Sequence, residues 1–418
     1  MGPNSTSLLD LIHARISEIP VGWQLCKVDE ALNIRNNLRK PISQEVRVTI
    51  KGQYPYYGPT KIQGYISEYE QDGTYALIGE DGDHFLKYGI MAQTQFISGK
   101  CTVNNHAHIL ESSRFCDSEW FFNYFKHRDI TNFLSRQGAG RFKLNKATLE
   151  KLPILVPPLP EQRKIAKIFS TWDKAITTIE KLIETSKQQK KALMQQLLMG
   201  KKRLLNPETG KAFEGAWEEV TIGSTSKCFS GGTPSRSKEE YYGGDIPWIT
   251  SGKLNDRFVK SVNEYITELG LKNSSAKVVK NGSLLIAMYG ATAGKVAINK
   301  LNGATVNQAV LALEPNIDCY NLFLFYLFEV EMDKALNLVQ GGQPNLSAGI
   351  IKGIRIKLPS LIEQQKIASV LTAADKEIEL LQAKLAHLKQ EKKALMQQLL
   401  TGKRRVKVMV EATSLLQV

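Results

Sequence analysis

Two stretches of the chain carry apolar residues that recur every three and four positions, the spacing of one helix face. They run over Glu161–Arg203 and Glu363–Arg405. Sustained over about five heptads, the pattern predicts two long helices that pack through an apolar seam, as in a coiled coil. We interpret ten of these positions as helix-packing or subunit-interface residues: Ile165, Trp172, Ile179, Leu193, Leu197, Ile367, Ile378, Leu385, Leu395 and Leu399.

The two stretches are copies of each other. KKALMQQLLMGK, which starts at Lys190, returns as KKALMQQLLTGK at Lys392, an offset of 392 − 190 = 202. At this offset 22 of 43 positions are identical between the two stretches. A repeat of this kind defines the organisation of the fold, so the chain is interpreted as two tandem halves, each ending in the same helix.

Both helices are expected to follow a proline and to end at a glycine, Gly200 or Gly402, as a C-terminal cap. About 40 residues make a rod of about 60 Å. Lys190 and Lys392 interrupt the seam at matched positions, where we expect looser packing. The simplest arrangement is an antiparallel pair within one chain, with pseudo-two-fold symmetry. The alternative is that each helix pairs with a helix of another copy or another subunit.

Before each helix lies a region of short alternating runs separated by glycine and aspartate, which favours strands and hairpins. Helical spacing over Phe121–Arg136 and over the run NLFLFYLFEVEMDKALNLV adds helices, so the fold class is α+β. Val103-Asn104 and Val306-Asn307 fall at corresponding places in the two regions. The predicted segments are a helical lead-in over 1–19 within a first domain at 1–155, a first helix at 156–203, a second domain at 204–357, a second helix at 358–405 and a tail at 406–418.

Composition narrows the class of protein. With 42% hydrophobic and 23% charged residues in 418, the chain is expected to be globular, with no membrane span and no signal peptide. Five scattered cysteines without metal-binding spacing favour a reducing, cytoplasmic location.

The positive charge is concentrated in the repeated stretches. They carry +7 (11 basic, 4 acidic) and +4 (9 basic, 5 acidic) of the net +14. A basic protein suggests a polyanionic partner. The alternative is a solvated helix face, with cations at the helix C-termini, where they suit the helix dipole.

Catalytic signals are weak. The run GATAGK (Gly290–Lys295) has too few residues between its glycines for a phosphate loop and lacks the following Ser or Thr, so a tight turn is favoured. His106 and His108 alone make a poor metal site. We therefore expect no enzyme, no metal and no cofactor bound by this chain.

Loops rich in Gly, Ser, Thr, Tyr, Gln and Arg suit contacts with base edges and phosphates. The candidates in the first half are Tyr54, Tyr56, Tyr57, Thr60, Lys61, Arg141 and Lys143. The candidates in the second half are Thr233, Ser235, Arg236, Thr250, Ser251, Lys253, Gln340, Gln343 and Asn345.

Taken together, these motifs resemble the DNA specificity subunit of a type I restriction-modification system. The resemblance rests on both PPLPEQRKIAKIF-like segments, on WEEVTIG, SGGTPSRSKEEYYGGDIPWITSG, GATAGK with TVNQAVLAL and QGGQPNLS, and on YPYYGPT in the first half. The first half departs from the second because it has no GGTP loop and has Arg141-Phe142-Lys143 where the second has Pro344-Asn345.

The resemblance implies that each globular region is a target recognition domain for one half of a split double-stranded DNA sequence. The helices would set the spacing and dock two methyltransferase subunits, which bind S-adenosylmethionine. Restriction subunits using ATP and Mg²⁺ would join them.

Only about +3 of the charge lies outside the helices, so the isolated chain is expected to bind DNA weakly and salt-sensitively. Two alternatives remain open at this stage, a coiled-coil scaffold that binds proteins or sugars through its globular ends, and an enzyme in its own right.

Overall fold

The structure is a computed structural model that describes residues 12, 16–137, 141–338 and 345–408. It contains two compact units. Unit 1 comprises Met1–Ile179 and Lys384–Val418, and unit 2 comprises Glu180–Ala383. Most of the lead-in helix predicted over 1–19 lies outside the described residues.

Among the described residues, unit 1 contains a six-stranded mixed sheet and two smaller two-stranded sheets. Its strands are β1 (Gln24–Lys27), β2 (Asn33–Ile34), β3 (Lys51–Tyr57), β4 (Ile62–Ile66), β5 (Gln71–Gly79), β6 (Thr94–Val103), β7 (Ala107–Glu111), β8 (Ser135–Gln137), β9 (Arg141–Lys143) and β10 (Pro153–Val156). Its short helices are α1 (Val28–Ala31), α2 (Gln44–Thr49), α3 (Ser118–Phe125) and α4 (Lys146–Glu150), with 3₁₀ turns at Asn36–Leu38, Asp83–Lys87 and Thr131–Phe133.

The first long helix, α5 (Leu159–Leu197), begins in unit 1 and ends in unit 2. The strands of unit 2 are β11 (Glu218–Thr221), β12 (Ser226–Ser230), β13 (Tyr242–Ile249), β14 (Phe258–Val259), β15 (Glu264–Ile266), β16 (Lys277–Val278), β17 (Leu284–Ala287), β18 (Val296–Asn299), β19 (Thr305–Val306), β20 (Val310–Pro315) and β21 (Arg355–Leu358). Its helices are α6 (Ile222–Thr225), α7 (Glu268–Lys272), α8 (Asn321–Leu338) and α9 (Ala348–Gly353), with 3₁₀ turns at Glu239–Tyr241 and Ser251–Asn255. The second long helix, α10 (Leu361–Leu399), begins in unit 2 and ends in unit 1.

The two units share one strand topology. The order in unit 1 is β2-β7-β5-β6-β3-β4, and unit 2 repeats it as β12-β20-β17-β18 followed by β19-β13-β15. Unit 2 adds β14, which pairs with β18, and β16, which pairs with β19. The single long strand β6 is therefore divided into β18 and β19 in unit 2. Asn299 lies at the break, where its buried side chain bonds to the backbone of Lys280 and Leu301. The mixed sheets confirm the α+β prediction.

The strand register confirms the correspondence between Val103-Asn104 and Val306-Asn307. Tyr57 of β3 lies opposite Val103 in a parallel pair, and Ile249 of β13 lies opposite Val306 in the same way. Asn104 and Asn307 then donate their backbone N–H groups to Tyr57 and Ile249 respectively. The repeat thus extends into the sheets, where few identities remain.

The helix predicted over Phe121–Arg136 is wrong in its limits, because α3 starts at Ser118 and ends at Phe125. The buried amide of Gln93 explains the end, since it donates to the carbonyl groups of Phe125 and Arg128. These carbonyls leave the helical hydrogen-bond pattern, and the chain turns into β8.

The GATAGK segment is a tight glycine turn between β17 and β18, as the sequence favoured. Gly290 and Gly294 have φ values of 84° and 78°, which glycine adopts without strain. A Cβ on Gly294 would lie 2.6 Å from Leu336, so α8 packs directly on the turn.

The predicted caps of both long helices are confirmed. Gly200 and Gly402 have φ values of 65° and 70°, and each donates its N–H to a carbonyl three residues earlier, that of Leu197 or Leu399. This left-handed residue ends the helix and satisfies carbonyls that would otherwise have no partner.

Part of the apolar seam of each long helix is buried in the cores of the two units. Ile165 and Phe169 of α5 lie in the core of unit 1 together with Leu399 of α10. Leu197 of α5 lies in the core of unit 2 together with Ile367 of α10. In each unit, the part of α5 therefore shares one core with the part of α10.

The two lysines that interrupt the seam form ion pairs, and the looser packing expected beside them stays a prediction. Lys392 is 8% exposed and its ammonium group hydrogen-bonds to Asp173 within unit 1. Lys190 lies 2.6 Å from Asp375 within unit 2. Asp173 and Asp375 are themselves repeat equivalents (375 − 173 = 202), so each lysine has an acidic partner at a matched position on the other helix.

Two further ion pairs occupy equivalent positions at the ends of the long helices α5 and α10. Arg405 binds the carboxylate of Glu161 with two bonds of 2.8 Å, and Trp23 Nε1 donates to the same carboxylate at 3.0 Å. In unit 2, Arg203 binds Glu363 at 2.7 and 2.8 Å and Trp217 donates at 3.2 Å. Arg203 and Arg405, which lie just after the two long helices, thus each form an internal ion pair instead of being available to a polyanion.

We expect Glu161→Gln to destabilise unit 1 by about 1–3 kcal/mol near neutral pH, because the bidentate charge-assisted bond is lost. Burial opposes ionisation of Glu161, but bonds from Arg405 and Trp23 outweigh it and hold its pKa below the usual 4.5. Because the folded-state pKa is depressed, this stabilisation is present above about 4.5 and is lost as the pH falls through the folded-state value. Urea unfolding of both proteins at neutral and acidic pH measures the difference.

The control is Glu377→Gln, an exposed carboxyl of α10. It should unfold like the wild type at both pH values. A Glu161→Gln protein as stable as the wild type at neutral pH would contradict the role assigned to this ion pair.

We expect Leu193→Glu or Leu395→Glu to lower the melting temperature, because both leucines pack against the buried cores and a carboxylate there loses its hydration. The expected cost is at least about 2 kcal/mol. Leu380→Glu is the matched control, since Leu380 is 63% exposed on α10. Equal melting temperatures for Leu395→Glu and Leu380→Glu, read by circular dichroism, would contradict the assigned packing.

Candidate nucleic-acid interface

A strand pair near the edge of the sheet has the same geometry in both units. Pro55 of β3 lies opposite Tyr65 of β4, and Pro247 of β13 lies opposite Tyr265 of β15. Both pairs contain an irregular register, which bends the edge strands. Tyr65 is 54% exposed and Tyr265 is 41% exposed, so each unit presents a tyrosine at an equivalent surface position.

The next position along β3 and β13 is a buried aromatic residue covered by an arginine. The guanidinium of Arg47 lies 4.9 Å from the ring centre of Tyr56. In unit 2, the guanidinium of Arg236 lies 5.1 Å from the ring centre of Trp248. Stacking of this kind holds the flat guanidinium in a fixed orientation at the surface.

The GGTP loop of unit 2 has a structural counterpart in unit 1, which the sequence comparison missed. Gly232 donates its N–H to the carbonyl of Val306, and Lys40 donates to the equivalent carbonyl of Val103. The segment Lys40–Ser43 therefore occupies the place of Gly232–Ser235. Glycine is needed only in unit 2, where a Cβ on Gly232 would lie 1.9 Å from Ser275 Oγ.

Beside this frame, unit 1 has an open groove of about 670 Å³ between α2 and the β3–β4 hairpin. Three cationic side chains line it and no carboxylate does. The lining residues are Gln44, Arg47, Val48, Lys51, Gly52, Lys61, Ile62, Gln63, Gly64 and Tyr65. Cations suit phosphates, whereas amides and apolar groups suit base edges, so the groove has the chemistry of a nucleic-acid contact.

Among the sequence candidates in unit 1, Lys61 lies in this groove and is exposed. Thr60 is half-buried beside it. Tyr54 is half-buried with its ring 4.9 Å from that of Tyr69. Tyr57 is also half-buried, and burial raises the pKa of its hydroxyl.

Tyr56 is removed from the candidates. Its side chain is 1% exposed, and its hydroxyl accepts a bond from the N–H of Ile42 and donates to the carbonyl of Lys40. A DNA base cannot reach this group, whose role is to hold the loop that precedes α2.

Lys143 and Arg141 lie on β9, away from the groove lining. Lys143 Nζ lies 3.3 Å from the carboxylate of Glu80, which also binds Arg39 at 2.7 Å. The backbone of Arg141 pairs with Gln137, and its side chain lies outside the described residues. The contact predicted for these two residues stays a prediction.

In unit 2, the candidate loops are hydrogen-bonded among themselves. Thr233 donates to the amide of Gln308, and Ser235 shares a bond of 2.9 Å with Ser237. Arg236 lies 2.6 Å from Glu264, so its charge is partly neutralised in the free protein. The loop is exposed and its polar groups are held in place.

The remaining candidates of unit 2 are dispersed. Ser251 and Lys253 lie in the 3₁₀ turn after β13, where Lys253 is 2.8 Å from Asp256, and the preceding Thr250 is half-buried. Asn345 is exposed and forms a bridge with Tyr289. Gln340 and Gln343 lie outside the described residues.

The ten seam positions divide by burial. Five are buried within the chain itself and are therefore not available to another subunit, which corrects that part of their assignment. The buried five are Ile165, Ile179, Leu197, Ile367 and Leu399. The other five are half-buried: Trp172, Leu193, Ile378, Leu385 and Leu395.

The two histidines do not form a joint site. His106 Nδ1 lies 2.9 Å from Asp81. His108 is buried and bonded at both ring nitrogens, to Asn36 and to the carbonyl of Leu144, and burial lowers its pKa. Across the described ranges, no group of three or more His, Cys, Asp or Glu is placed to hold a metal ion. Within the same ranges, no helix combines the length and the apolar character needed to cross a bilayer.

Comparison with known proteins agrees with the repeated architecture. The family described as type I restriction modification DNA specificity domain matches residues 20–187 and again 214–390. A putative type I restriction enzyme specificity subunit of Haemophilus influenzae is 29% identical over 84% of this chain and 86% of its own length. The type I restriction enzyme MjaVIII specificity subunit of Methanocaldococcus jannaschii is 28% identical over 93% of this chain and 94% of its own.

Solved structures show the same fold. The S subunit of a type I restriction-modification system from M. genitalium aligns with a TM-score of 0.59 and 15% identity, over 92% of this chain and 96% of its own. The HsdS subunit from Thermoanaerobacter tengcongensis aligns with a TM-score of 0.51 and 17% identity, over 93% and 98%. Because the family model covers each half in turn, the chain belongs to the family of type I restriction-modification DNA specificity proteins.

Proposed function

We propose that this chain is the non-catalytic subunit that gives a type I restriction-modification complex its DNA sequence specificity. Each unit recognises one half of a split target. The supporting observation is the repeated strand frame with its stacked arginine, Arg47 or Arg236, beside which the exposed residues differ. A strand frame that is repeated in both units, with different surface chemistry in each, suits two half-sites of different sequence.

The direct contacts in unit 1 are assigned to the groove between α2 and the β3–β4 hairpin. Lys51 and Lys61 neutralise phosphates, while Gln44, Gln63 and Tyr65 lie beside them as groups that can contact base edges. In unit 2, Arg236 and the exposed loop residues Thr233 and Ser235 take the corresponding role. When DNA binds, the guanidinium of Arg236 leaves the carboxylate of Glu264 and contacts DNA instead.

We further propose that α5 and α10 form an antiparallel spacer that fixes the separation of the two half-sites. Support comes from the reciprocal ion pairs, in which Lys392 meets Asp173 in unit 1 and Lys190 meets Asp375 in unit 2. The spacer docks two methyltransferase subunits through its outward faces, where Leu182 and Leu380 are 45% and 63% exposed. S-adenosylmethionine, ATP and Mg²⁺ belong to the partner subunits, which include the restriction subunits.

We expect a complex of this chain with its methyltransferase subunits to methylate a split DNA sequence. Replacing residues 24–150 by the same region of a relative should change one half of that sequence and leave the other half and the spacing unchanged. Single-molecule sequencing of methylated DNA reads both halves. A swap that alters both halves, or neither, would contradict the division of recognition between the units.

We expect Lys51→Ala and Lys61→Ala each to weaken DNA binding by that complex, because each removes about one phosphate contact from the groove. The slope of log K against log salt should fall by about 1 for each substitution. Lys151→Ala is the control, since Lys151 is exposed in unit 1 but does not line the groove. If all three variants bind alike in a fluorescence titration over several salt concentrations, DNA does not occupy this groove.

A further inference from the structure

Unit 1 contains a cationic cavity that the proposed function does not use. It has a volume of about 550 Å³ and lies between the end of α3 and the C-terminal part of α10. Lys126, Lys392 and Lys393 contribute to its lining, together with the exposed His127, and Asp129 is the one lining carboxylate. This volume lies within the range of about 300–1,000 Å³ typical of small-molecule sites.

Unit 2 provides an internal comparison for this cavity. Asp117 and Tyr320 each donate a backbone N–H to the glutamine that follows the ion-pair glutamate, Gln162 or Gln364. This fixes the correspondence of the helices α3 and α8. Nine residues further on, Lys126 (117 + 9) is the equivalent of Glu329 (320 + 9). The charge at this position is therefore reversed between the units.

In unit 2 the equivalent place is filled and neutral. Lys190 lies 2.6 Å from Asp375 and 3.8 Å from Glu329. Arg257 lies 2.9 Å from Asp375 and 3.0 Å from Glu329. Two cations thus meet two carboxylates. The Tyr326 hydroxyl also donates to Asp375 at 2.7 Å, so the ring occupies the space beside them.

In unit 1 the equivalent positions leave an open space and positive charge that is not fully neutralised. Asn123 and Tyr326 are also equivalent positions, since each lies six residues after its anchor (123 − 117 = 326 − 320). The smaller Asn123 side chain lines the cavity. Lys392 keeps its one acidic partner, Asp173, but Lys126 has replaced the second carboxylate. The result is an open cavity with an excess of positive charge where the repeat has a closed neutral cluster.

Lys126 has a ring contact rather than an ionic one, its ammonium group lying 4.9 Å from the ring centre of Phe122. Burial, followed by the charge of Lys392, lowers the pKa of Lys126. Burial also lowers the pKa of His127, and Lys126, Lys392 and Lys393 add to that effect. A bound anion would relieve this mutual repulsion.

We propose that this cavity is a binding site for the phosphate groups of an anionic ligand, either a free nucleoside triphosphate or the DNA backbone. Several ammonium groups that converge in a concave, partly apolar site suit a compact phosphate better than an extended acidic peptide. Met396 and Leu400 supply the apolar side of the cavity. The site goes beyond sequence recognition and does not depend on the groove beside α2.

The test uses the full chain, with inorganic triphosphate and ATP as probes in calorimetry and a duplex DNA titration in parallel. Lys126→Glu restores the carboxylate that unit 2 has as Glu329, so this variant should fold and bind triphosphate at least about tenfold more weakly. Lys393→Gln should weaken binding as well. Its repeat equivalent, Lys191→Gln (393 − 202 = 191), is the matched control in unit 2 and should bind like the wild type.

Triphosphate binding that Lys126→Glu and Lys393→Gln weaken supports a free phosphate ligand. If triphosphate does not bind but both substitutions lower DNA affinity, the phosphate is that of the DNA backbone, which also supports the site. The proposal is overturned if the wild type binds no triphosphate at about 1 mM and DNA affinity is unchanged in both variants. Binding of a deca-glutamate peptide without triphosphate binding would likewise overturn it. The Lys51→Ala and Lys61→Ala titrations probe the groove beside α2, whose lining shares no residue with this cavity, so failure of this proposal is distinguishable from failure of the proposed function.

Discussion

The ion pair between each helix-start glutamate and an arginine just after the other helix is the interaction on which the architecture depends. Glu161 and Glu363 are almost fully buried, so their carboxylates need full compensation. Each receives two bonds from an arginine and one from a tryptophan that precedes the first strand of its unit. One buried carboxylate at the start of a long helix thereby binds both the segment after the end of the other long helix and the residue before the first strand of the unit.

The sequence predicted the two long helices of this structure well, because a period of three and four residues and a terminal glycine are local signals. The offset of 202 residues also pointed correctly to Asp173 and Lys392 as recurring features. It did not pair them, because the contact joins residues 219 apart and no local pattern encodes it.

The candidate site was less predictable. Tyr56 and Tyr65 are both tyrosines near a turn, but the neighbouring strand covers one and leaves the other exposed. Alternation identifies the two faces of a strand without saying which face a loop will cover. The loop at Lys40–Ser43 escaped detection because only its backbone bond to Val103, and not its residue types, matches the second unit.

The charge reversal between Lys126 and Glu329 also has a consequence for assembly. A duplicated protein offers equivalent surfaces to two copies of the same partner. Here the equivalent places are an open cavity with an excess of positive charge in unit 1 and a closed neutral cluster in unit 2. A surface that suits the open cationic place in unit 1 is therefore not matched to the equivalent place in unit 2. The two units of the internal repeat are thus chemically distinguishable at this position.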